Sequence, residues 1–214
     1  MSRVESNTRI DSGQKVTVVD EIQDVGYDAN VLRIMIAGTS SVTHLCDGVK
    51  EILRSLVPWQ KLSCRPRREI EIFYWPDLKP SAGSPQEMCN RYADKCHIFI
   101  GIVGTSLGDP IDYHGSGFEQ EVELVVKRWK ETLKPEIWLF RKKDSSVKRQ
   151  ENKDQIRSVE IFFKKYSREV CFKEFGNPGK KLYPLIIDMI REYLWGDSGG
   201  STLRGANCDA KFLA

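Results

Sequence analysis

The middle of the chain reads His97-Ile-Phe-Ile-Gly-Ile-Val103, and the turn-rich segment Gly104-Thr-Ser-Leu-Gly-Asp-Pro110 follows it. An apolar run without alternating polar residues is typical of a strand that is buried on both faces, as in a parallel sheet. Beyond Gly117, apolar residues recur at spacings of three and four, which predicts an amphipathic helix. They are Phe118, Val122, Val125, Val126, Trp129 and Leu133.

The same strand–helix unit recurs on both sides of this segment. The other predicted strands are Val31–Ala37, Ile70–Trp75, Glu136–Phe140 and Val170–Phe175. The other predicted helices are about Val42–Leu56, Pro85–Lys95 with Ser84 as its cap, one carrying Ile156 to Tyr166 and one carrying Leu182 to Tyr193. Such alternation demands right-handed crossovers and helices on both sheet faces. We therefore expect a flavodoxin-like α/β fold with five mostly parallel strands in the order 2-1-3-4-5.

The composition narrows the function classes. The chain has 214 residues, with 33 basic against 30 acidic side chains and a formal net charge of +3. This excess is too small to indicate nucleic-acid binding, which needs a clustered basic face. The N-terminal segment is polar and no apolar run is long enough to cross a membrane, so we expect no membrane and a cytoplasmic protein.

The chain divides into three parts by composition. We expect a flexible N-terminal arm over residues 1–30, in which Lys15–Val19 is a possible short strand, and an α/β domain over 31–195. A Gly/Ser-rich flexible tail or linker covers 196–214. The six cysteines lack metal-ligand spacing, so we expect no metal site and interpret Cys89 and Cys96 as buried free thiols.

Ligands of such sheets bind beyond the carboxyl ends of the strands, and three predicted loops meet there. The loop Gly38-Thr-Ser-Ser41 has small residues and hydroxyls at a helix start, which suits a phosphate or a ribose hydroxyl. The loop Trp75–Gly83 follows two aromatic residues, Tyr74 and Trp75, which either stack on a ring of a ligand or pack in the core. The third loop is Gly104–Gly117.

Three glutamates lie in the first two turns of the helix predicted after Gly117. Glu119, Glu121 and Glu123 either complement the helix dipole or supply a carboxylate for ribose hydroxyls and an oxocarbenium-like transition state. Helix geometry places Glu119 about 60° from the centre of the apolar face and Glu121 about 100° away on the other flank. Helical periodicity therefore slightly favours Glu119 over Glu121 as the carboxylate of a site. The preceding Asp109, Asp112 and His114 either form a surface turn or contribute to a site.

Several segments together resemble the TIR-like domains of bacterial defence and signalling proteins. The similarity covers roughly residues 31–195 in order and is most specific over 84–122. The sequence departs from the family pattern at Phe118, where Thr is usual, and at His97, where Asp is commoner. The segments that carry the resemblance are Ile36–Ser41, Ser84–Gln86, Ala93–Val103, Thr105–Pro110, Ser116–Val122 and Pro135–Phe140.

The resemblance implies an enzyme that cleaves the nicotinamide–ribose bond of NAD, as a hydrolase or a cyclase, in defence or stress signalling. Alignment on Ser116-Gly117 places the catalytic role on Glu121 rather than Glu119. NAD is then a substrate, and no permanently bound cofactor is expected. Partners would be further copies of the chain, which activate it by self-association, and a partner or fused sensor domain.

On this interpretation the nucleotide is bound by loop residues at the carboxyl ends of the strands. Two alternatives stay open. One is a non-catalytic homotypic interaction module, and the other is a nucleoside deoxyribosyltransferase-like enzyme with a Glu on the same helix. The candidate nucleotide-binding residues are Gly38, Thr39, Ser40, Ser41, Trp75, Thr105, Ser106, Asp109 and Ser116.

Overall fold

Strands and helices alternate throughout the part of the chain that the computed structural model describes, which is residues 31–56, 69–78, 84–109, 115–143 and 153–195. The strands are β1 (Val31–Gly38), β2 (Glu69–Tyr74), β3 (Ile98–Val103), β4 (Glu136–Lys142) and β5 (Phe172–Phe175). The helices are α1 (Thr43–Leu56), α2 (Pro85–Lys95), α3 (Gly117–Thr132), α4 (Lys153–Tyr166) and α5 (Tyr183–Trp195).

The five strands form one parallel sheet in the order β2-β1-β3-β4-β5, which confirms the predicted flavodoxin-like arrangement. Every residue of β3 is buried, so this strand can lie at the centre with neighbours on both sides and helices on both faces. In register, Ile100 pairs with Ile36 of β1 and with Trp138 of β4. The edge strands β2 and β5 contain charged residues and are partly exposed.

Each face of the sheet has its own hydrophobic cluster. On one face, side chains of β1 and β3 such as Ile34 and Ile100 pack with α1 and α5. On the other face, Met35 and Phe99 pack with α2, α3 and α4. This division follows from the alternation of side chains along a strand, which points neighbouring residues to opposite faces. Both apolar faces of β3 are therefore explained by helices that the sequence predicts.

Element boundaries differ from the prediction mainly where turns precede helices. A 3-10 turn over Ser40–Val42 leads into α1, and a π-helical turn over Pro178–Leu182 leads into α5. The predicted second strand ends at Trp75, but in the structure β2 ends at Tyr74. Trp75 begins a 3-10 turn that ends at Asp77. Pro76 explains this ending, because its fixed φ and missing N–H favour a turn over a further strand residue. The predicted burial and free state of Cys89 and Cys96 are confirmed.

Several predictions lie outside the described residues. These are the N-terminal arm with its possible strand Lys15–Val19, the tail over 196–214, Asp112 and His114. Within the described residues, no helix combines the length and the apolar character that a membrane span requires.

Candidate functional site

The loop after β1 is held close to β3 at the carboxyl edge of the sheet. The Thr39 N–H donates to the Ile102 carbonyl at 3.4 Å, and the Thr39 and Ser41 hydroxyls lie 3.1 Å apart. Thr39 is buried, whereas Ser40 and Ser41 are exposed. A Cβ on Gly38 would lie 2.4 Å from the Cys46 sulfur, so a larger residue here would displace the buried Cys46 side chain of α1. The exposed Ser40 and Ser41 therefore follow a residue, Thr39, whose backbone is hydrogen-bonded to β3.

The loop after β3 contacts the loop after β1, as expected at a topological switch point. A Cβ on Gly104 would lie 2.4 Å from the Ser41 hydroxyl oxygen, which shows how closely the Ser41 side chain approaches the backbone of the loop after β3. Thr105 and Ser106 are half-buried and Asp109 is exposed, while Leu107 anchors the loop in the core. The Ser41 hydroxyl of the first loop thus lies beside the second loop at this edge.

The two aromatic residues at the end of β2, Tyr74 and the following Trp75, have different environments. Tyr74 is buried, its hydroxyl donates to the Thr43 carbonyl at 3.4 Å, and the Lys50 ammonium lies over its ring. Tyr74 is therefore a packing residue, the second of the two roles that the sequence leaves open. Trp75 is 44% exposed and is available for stacking.

Ion pairs hold the short turn on which Trp75 lies. The Asp77 carboxylate accepts from Lys50 at 2.9 Å and from Arg54 at 3.2 Å, so the turn is tied to α1. These pairs are partly exposed and each contributes little to stability. Their effect is on geometry, because they limit the positions that the backbone next to Trp75 can adopt.

The start of α3 is closed by a capping box. The Ser116 hydroxyl accepts from the Glu119 N–H at 3.2 Å, and the Glu119 carboxylate accepts from the Ser116 N–H at 3.0 Å. These two bonds satisfy backbone donors that the first helical turn leaves unpaired. Glu119 therefore has a structural role at the helix end. Ser116 is buried, and its hydroxyl already serves the cap.

Glu121 lies one half-turn further along α3 and is the buried carboxylate of this helix. Its side chain is only 9% exposed, in contrast to the half-buried Glu119 and the exposed Glu123. Burial raises the Glu121 pKa from 4.5 to about 7, and a hydrogen bond from the Cys89 thiol works in the opposite direction. Among the described residues, no cation contributes to this pKa. Near neutral pH the carboxyl is thus present in both protonation states.

Helical periodicity places Glu119 nearer the apolar face than Glu121, whereas in the structure Glu121 is the more buried of the two. The structure places Glu121 on the more buried flank because α2 covers that side of α3. The Gln86 side-chain amide donates to the Gly117 carbonyl at 3.4 Å, and the Arg128 guanidinium donates to the Cys96 carbonyl at 3.0 Å. Periodicity within one helix cannot show which flank a neighbouring helix covers.

The two departures from the TIR-like pattern have structural explanations. Phe118 is a core residue whose ring lies 5.7 Å from that of Phe162, and it packs where a Cβ on Gly101 would otherwise stand. His97 lies at the opposite edge of the sheet from Glu121, and its Nδ1 accepts from the Arg33 N–H at 2.9 Å. Because His97 supplies a hydrogen-bond acceptor at that edge, it affects the sheet rather than the candidate site.

The candidate residues therefore form two described groups. The loops at 38–41 and 104–109 meet, and the first turn of α3 packs against α2. Among the residues that the structure describes, no hydrogen bond or ion pair joins Glu121 to the two loops or to Trp75, although a Cβ on Gly108 would lie 3.9 Å from the Ser116 side chain at the start of α3. The sequence prediction missed Cys89 as a partner of Glu121, because its apolar setting in α2 predicts burial and not which side chain it meets.

Comparison with known proteins gives a family. The sequence profile of a domain family of unknown function, DUF4062, matches residues 66–185, which is more than half of the chain. The chain belongs to this family. The matched region runs from just before β2 into α5 and includes α2, α3 and Glu121. No curated protein matches the chain.

Proposed function

We propose that this member of the DUF4062 family cleaves the nicotinamide–ribose bond of NAD, with Glu121 as the catalytic carboxylate. The observation that carries the proposal is a carboxyl group buried in the first turns of a helix at the carboxyl edge of the sheet, without a cation partner among the described residues. An uncompensated buried carboxyl costs stability, and strongly shifted acids of this kind cluster at functional sites. The TIR-like pattern around Ser116-Gly117 assigns the same residue.

The chemistry follows from the charge that develops during bond cleavage. When nicotinamide leaves, positive charge appears on the ribose ring, and a fixed carboxylate close to it stabilises that charge. The buried setting strengthens this interaction, since the local dielectric is low. The carboxylate is the working form, so the raised pKa of about 7 predicts that cleavage increases as the pH rises through neutrality.

The loop residues supply the binding groups in this proposal. The hydroxyls of Ser40, Ser41, Thr105 and Ser106 suit the pyrophosphate and the ribose of a dinucleotide, and Trp75 offers an exposed ring for stacking. NAD is bound as a substrate and not as a resident cofactor. We further propose, from the TIR-like resemblance, that activity depends on self-association in a cytoplasmic defence or signalling pathway.

The test compares two glutamates that are two residues apart. Purified protein is incubated with NAD, and the release of nicotinamide is followed by chromatography for wild type, Glu121→Gln and Glu119→Gln. Glutamine at position 119 can still close the capping box, so this variant controls for the change of charge on α3. We expect Glu121→Gln to lose about a hundredfold or more of the activity and Glu119→Gln to keep most of it.

The products distinguish the proposal from its alternatives. Release of nicotinamide with ADP-ribose or its cyclic form supports NAD cleavage. Exchange of bases between deoxynucleosides, with NAD left intact, indicates the deoxyribosyltransferase-like activity instead. Absence of both reactions at every protein concentration supports a non-catalytic interaction module. Equal activity of wild type and Glu121→Gln removes Glu121 from the mechanism.

A further inference from the structure

The turn that carries Trp75 is attached to the rest of the molecule at both of its ends. The Leu78 N–H donates to the Trp75 carbonyl at 3.0 Å, and the half-buried Leu78 side chain packs against the hydrophobic cluster formed with α2, α3 and α4. On the other side, the buried Tyr74 hydroxyl donates to the Thr43 carbonyl at the start of α1. The turn is therefore held from two sides, and the Trp75 side chain between them is exposed.

Asp77 adds a third attachment, which is formed with two cations of α1. One carboxylate oxygen accepts from the Lys50 ammonium at 2.9 Å, and the other accepts from the Arg54 guanidinium at 3.2 Å. The Lys50 side chain is only 12% exposed and its ammonium lies 4.9 Å from the centre of the Tyr74 ring, so this cation has little freedom to move. Lys50 thus connects the buried end of β2 to the exposed turn that follows it.

The neighbouring loop places this turn at the candidate site. Strands β1 and β2 are parallel with Ile36 opposite Tyr74, so the chain leaves both strands at the same edge of the sheet. The loop at 38–41 follows β1 and leads into α1, the helix that carries Lys50 and Arg54. One helix therefore follows the hydroxyl-bearing loop and also holds the turn with the exposed ring. A nucleotide requires such an arrangement, since its base is joined to its ribose and phosphate.

We propose that Asp77 is a positioning residue, which fixes the turn so that the Trp75 ring stacks on an aromatic base of the substrate. The inference rests on the function proposed above and adds a residue to it. An exposed side chain on an unrestrained turn must lose conformational freedom when it binds a ring, which lowers the affinity, whereas a turn that is already held avoids most of this loss. The Asp77 carboxylate does not suit a direct contact with the pyrophosphate, because like charges repel.

The experiment measures the binding of two uncharged ring compounds to the full chain. Adenosine and nicotinamide separate the two bases of NAD, and their binding does not respond directly to a change of charge at position 77. Calorimetry gives the dissociation constants for wild type, Trp75→Ala, Asp77→Asn and the double variant. We expect at least one compound to bind about tenfold or more weakly in Trp75→Ala and about two- to tenfold more weakly in Asp77→Asn.

The double variant separates positioning from a general effect on the fold. If Asp77 acts through Trp75, Asp77→Asn should cause no further weakening once Trp75 is replaced by alanine. Equal weakening with and without the tryptophan would overturn the proposal, and so would unchanged binding in Asp77→Asn. A wild-type protein that binds neither adenosine nor nicotinamide would overturn it as well.

Asp47→Asn is the matched control, because it removes another carboxylate beside the same ammonium. Asp47 lies on α1, 3.7 Å from Lys50, and does not belong to the turn. Its affinity for both compounds should equal that of wild type, and a loss as large as that of Asp77→Asn would contradict a role of the turn. Such partly exposed ion pairs contribute little to stability, so we expect the variants to fold, as thermal denaturation can check. If Asp77→Asn does not fold, Arg54→Gln removes one of the two bonds and should weaken binding in the same way.

Nicotinamide release from NAD supplies the second readout. In Asp77→Asn the KM for NAD should rise by a factor similar to that of the dissociation constant, with a smaller change in kcat, because Asp77 contacts no reacting atom. Wild type that binds a ring compound but releases no nicotinamide contradicts the proposed function, whereas the binding measurements still decide whether Asp77 acts through Trp75. The two failures are therefore distinguishable.

Discussion

At the residue scale, the central feature is that two glutamates in one helical turn have different tasks. The Glu119 carboxylate caps α3, while Glu121 is buried against Cys89. The sequence predicts carboxylates at this helix start and, through the TIR-like pattern, selects Glu121. It does not predict the raised pKa, because that depends on how completely α2 and α3 exclude water from one side chain.

The buried carboxyl should make stability depend on pH. The Glu121 pKa is raised in the folded protein from 4.5 to about 7, so the folded state holds its proton more tightly than the unfolded state. The associated stability is present below pH 4.5 and is lost as the pH rises through 7. The loss approaches about 3 kcal/mol above pH 8.

The measurement is urea unfolding of wild type and Glu121→Gln at pH 5 and pH 8.5. The variant should gain stability relative to wild type as the pH rises, by up to about 3 kcal/mol, because glutamine carries no charge to bury. A stability difference that is the same at both pH values would show that Glu121 titrates normally in the folded state.

At the element scale, helix α3 depends on its capping box. Ser116→Ala removes the acceptor for the Glu119 N–H and should cost about 1 kcal/mol of unfolding free energy. Glu119→Gln retains a side-chain acceptor for the Ser116 N–H and should cost only a few tenths of a kcal/mol. Thermal denaturation of both variants checks this order. The capping assignment is wrong if the two substitutions have the same effect.

The central strand β3 supports a second prediction at this scale. Phe99 is fully buried in the cluster formed with α2, α3 and α4, and Phe99→Ala should cost about 3–5 kcal/mol by leaving a cavity. Phe172 of the edge strand β5 is only half-buried, so Phe172→Ala is the control and should cost clearly less. A melting temperature for Phe99→Ala within a degree of the wild-type value would contradict the central position of β3.

The fold was largely predictable because most of its strands and helices have a clear signal in their local sequence. The uninterrupted apolar run of β3 predicts a central strand, and Ser84-Pro85 predicts the start of α2, which begins at Pro85. The sequence does not predict which flank of α3 is covered, since the bond from Gln86 to Gly117 joins residues 31 positions apart. The ion pairs that hold the turn of Trp75 are unpredictable for the same reason, because Lys50 and Arg54 reach Asp77 from another helix.

At the scale of the whole molecule, no hydrogen bond or ion pair among the described residues joins Glu121 to the loops at the carboxyl edge of the sheet. The loops at 38–41 and 104–109 meet, whereas Glu121 is held against α2. A reaction at a glycosidic bond needs both groups around one substrate with water excluded. We therefore expect assembly with further copies of the chain to complete the site.

This expectation predicts that specific activity rises with protein concentration. Nicotinamide release should increase more steeply than linearly over a hundredfold dilution series, with light scattering recording the size of the assemblies. The rise should coincide with the formation of the assemblies. Constant specific activity from a monomer at every dilution would indicate a preformed site and contradict a role for self-association.

The most direct test of the central claim is nicotinamide release from NAD by wild type and Glu121→Gln at the highest concentration of that series. Light scattering must show the same state of assembly for both proteins, so that a difference reflects Glu121 alone. We predict release by wild type and a reduction of about a hundredfold or more in Glu121→Gln. No release by the assembled wild type, or equal release by the two proteins, would contradict the account.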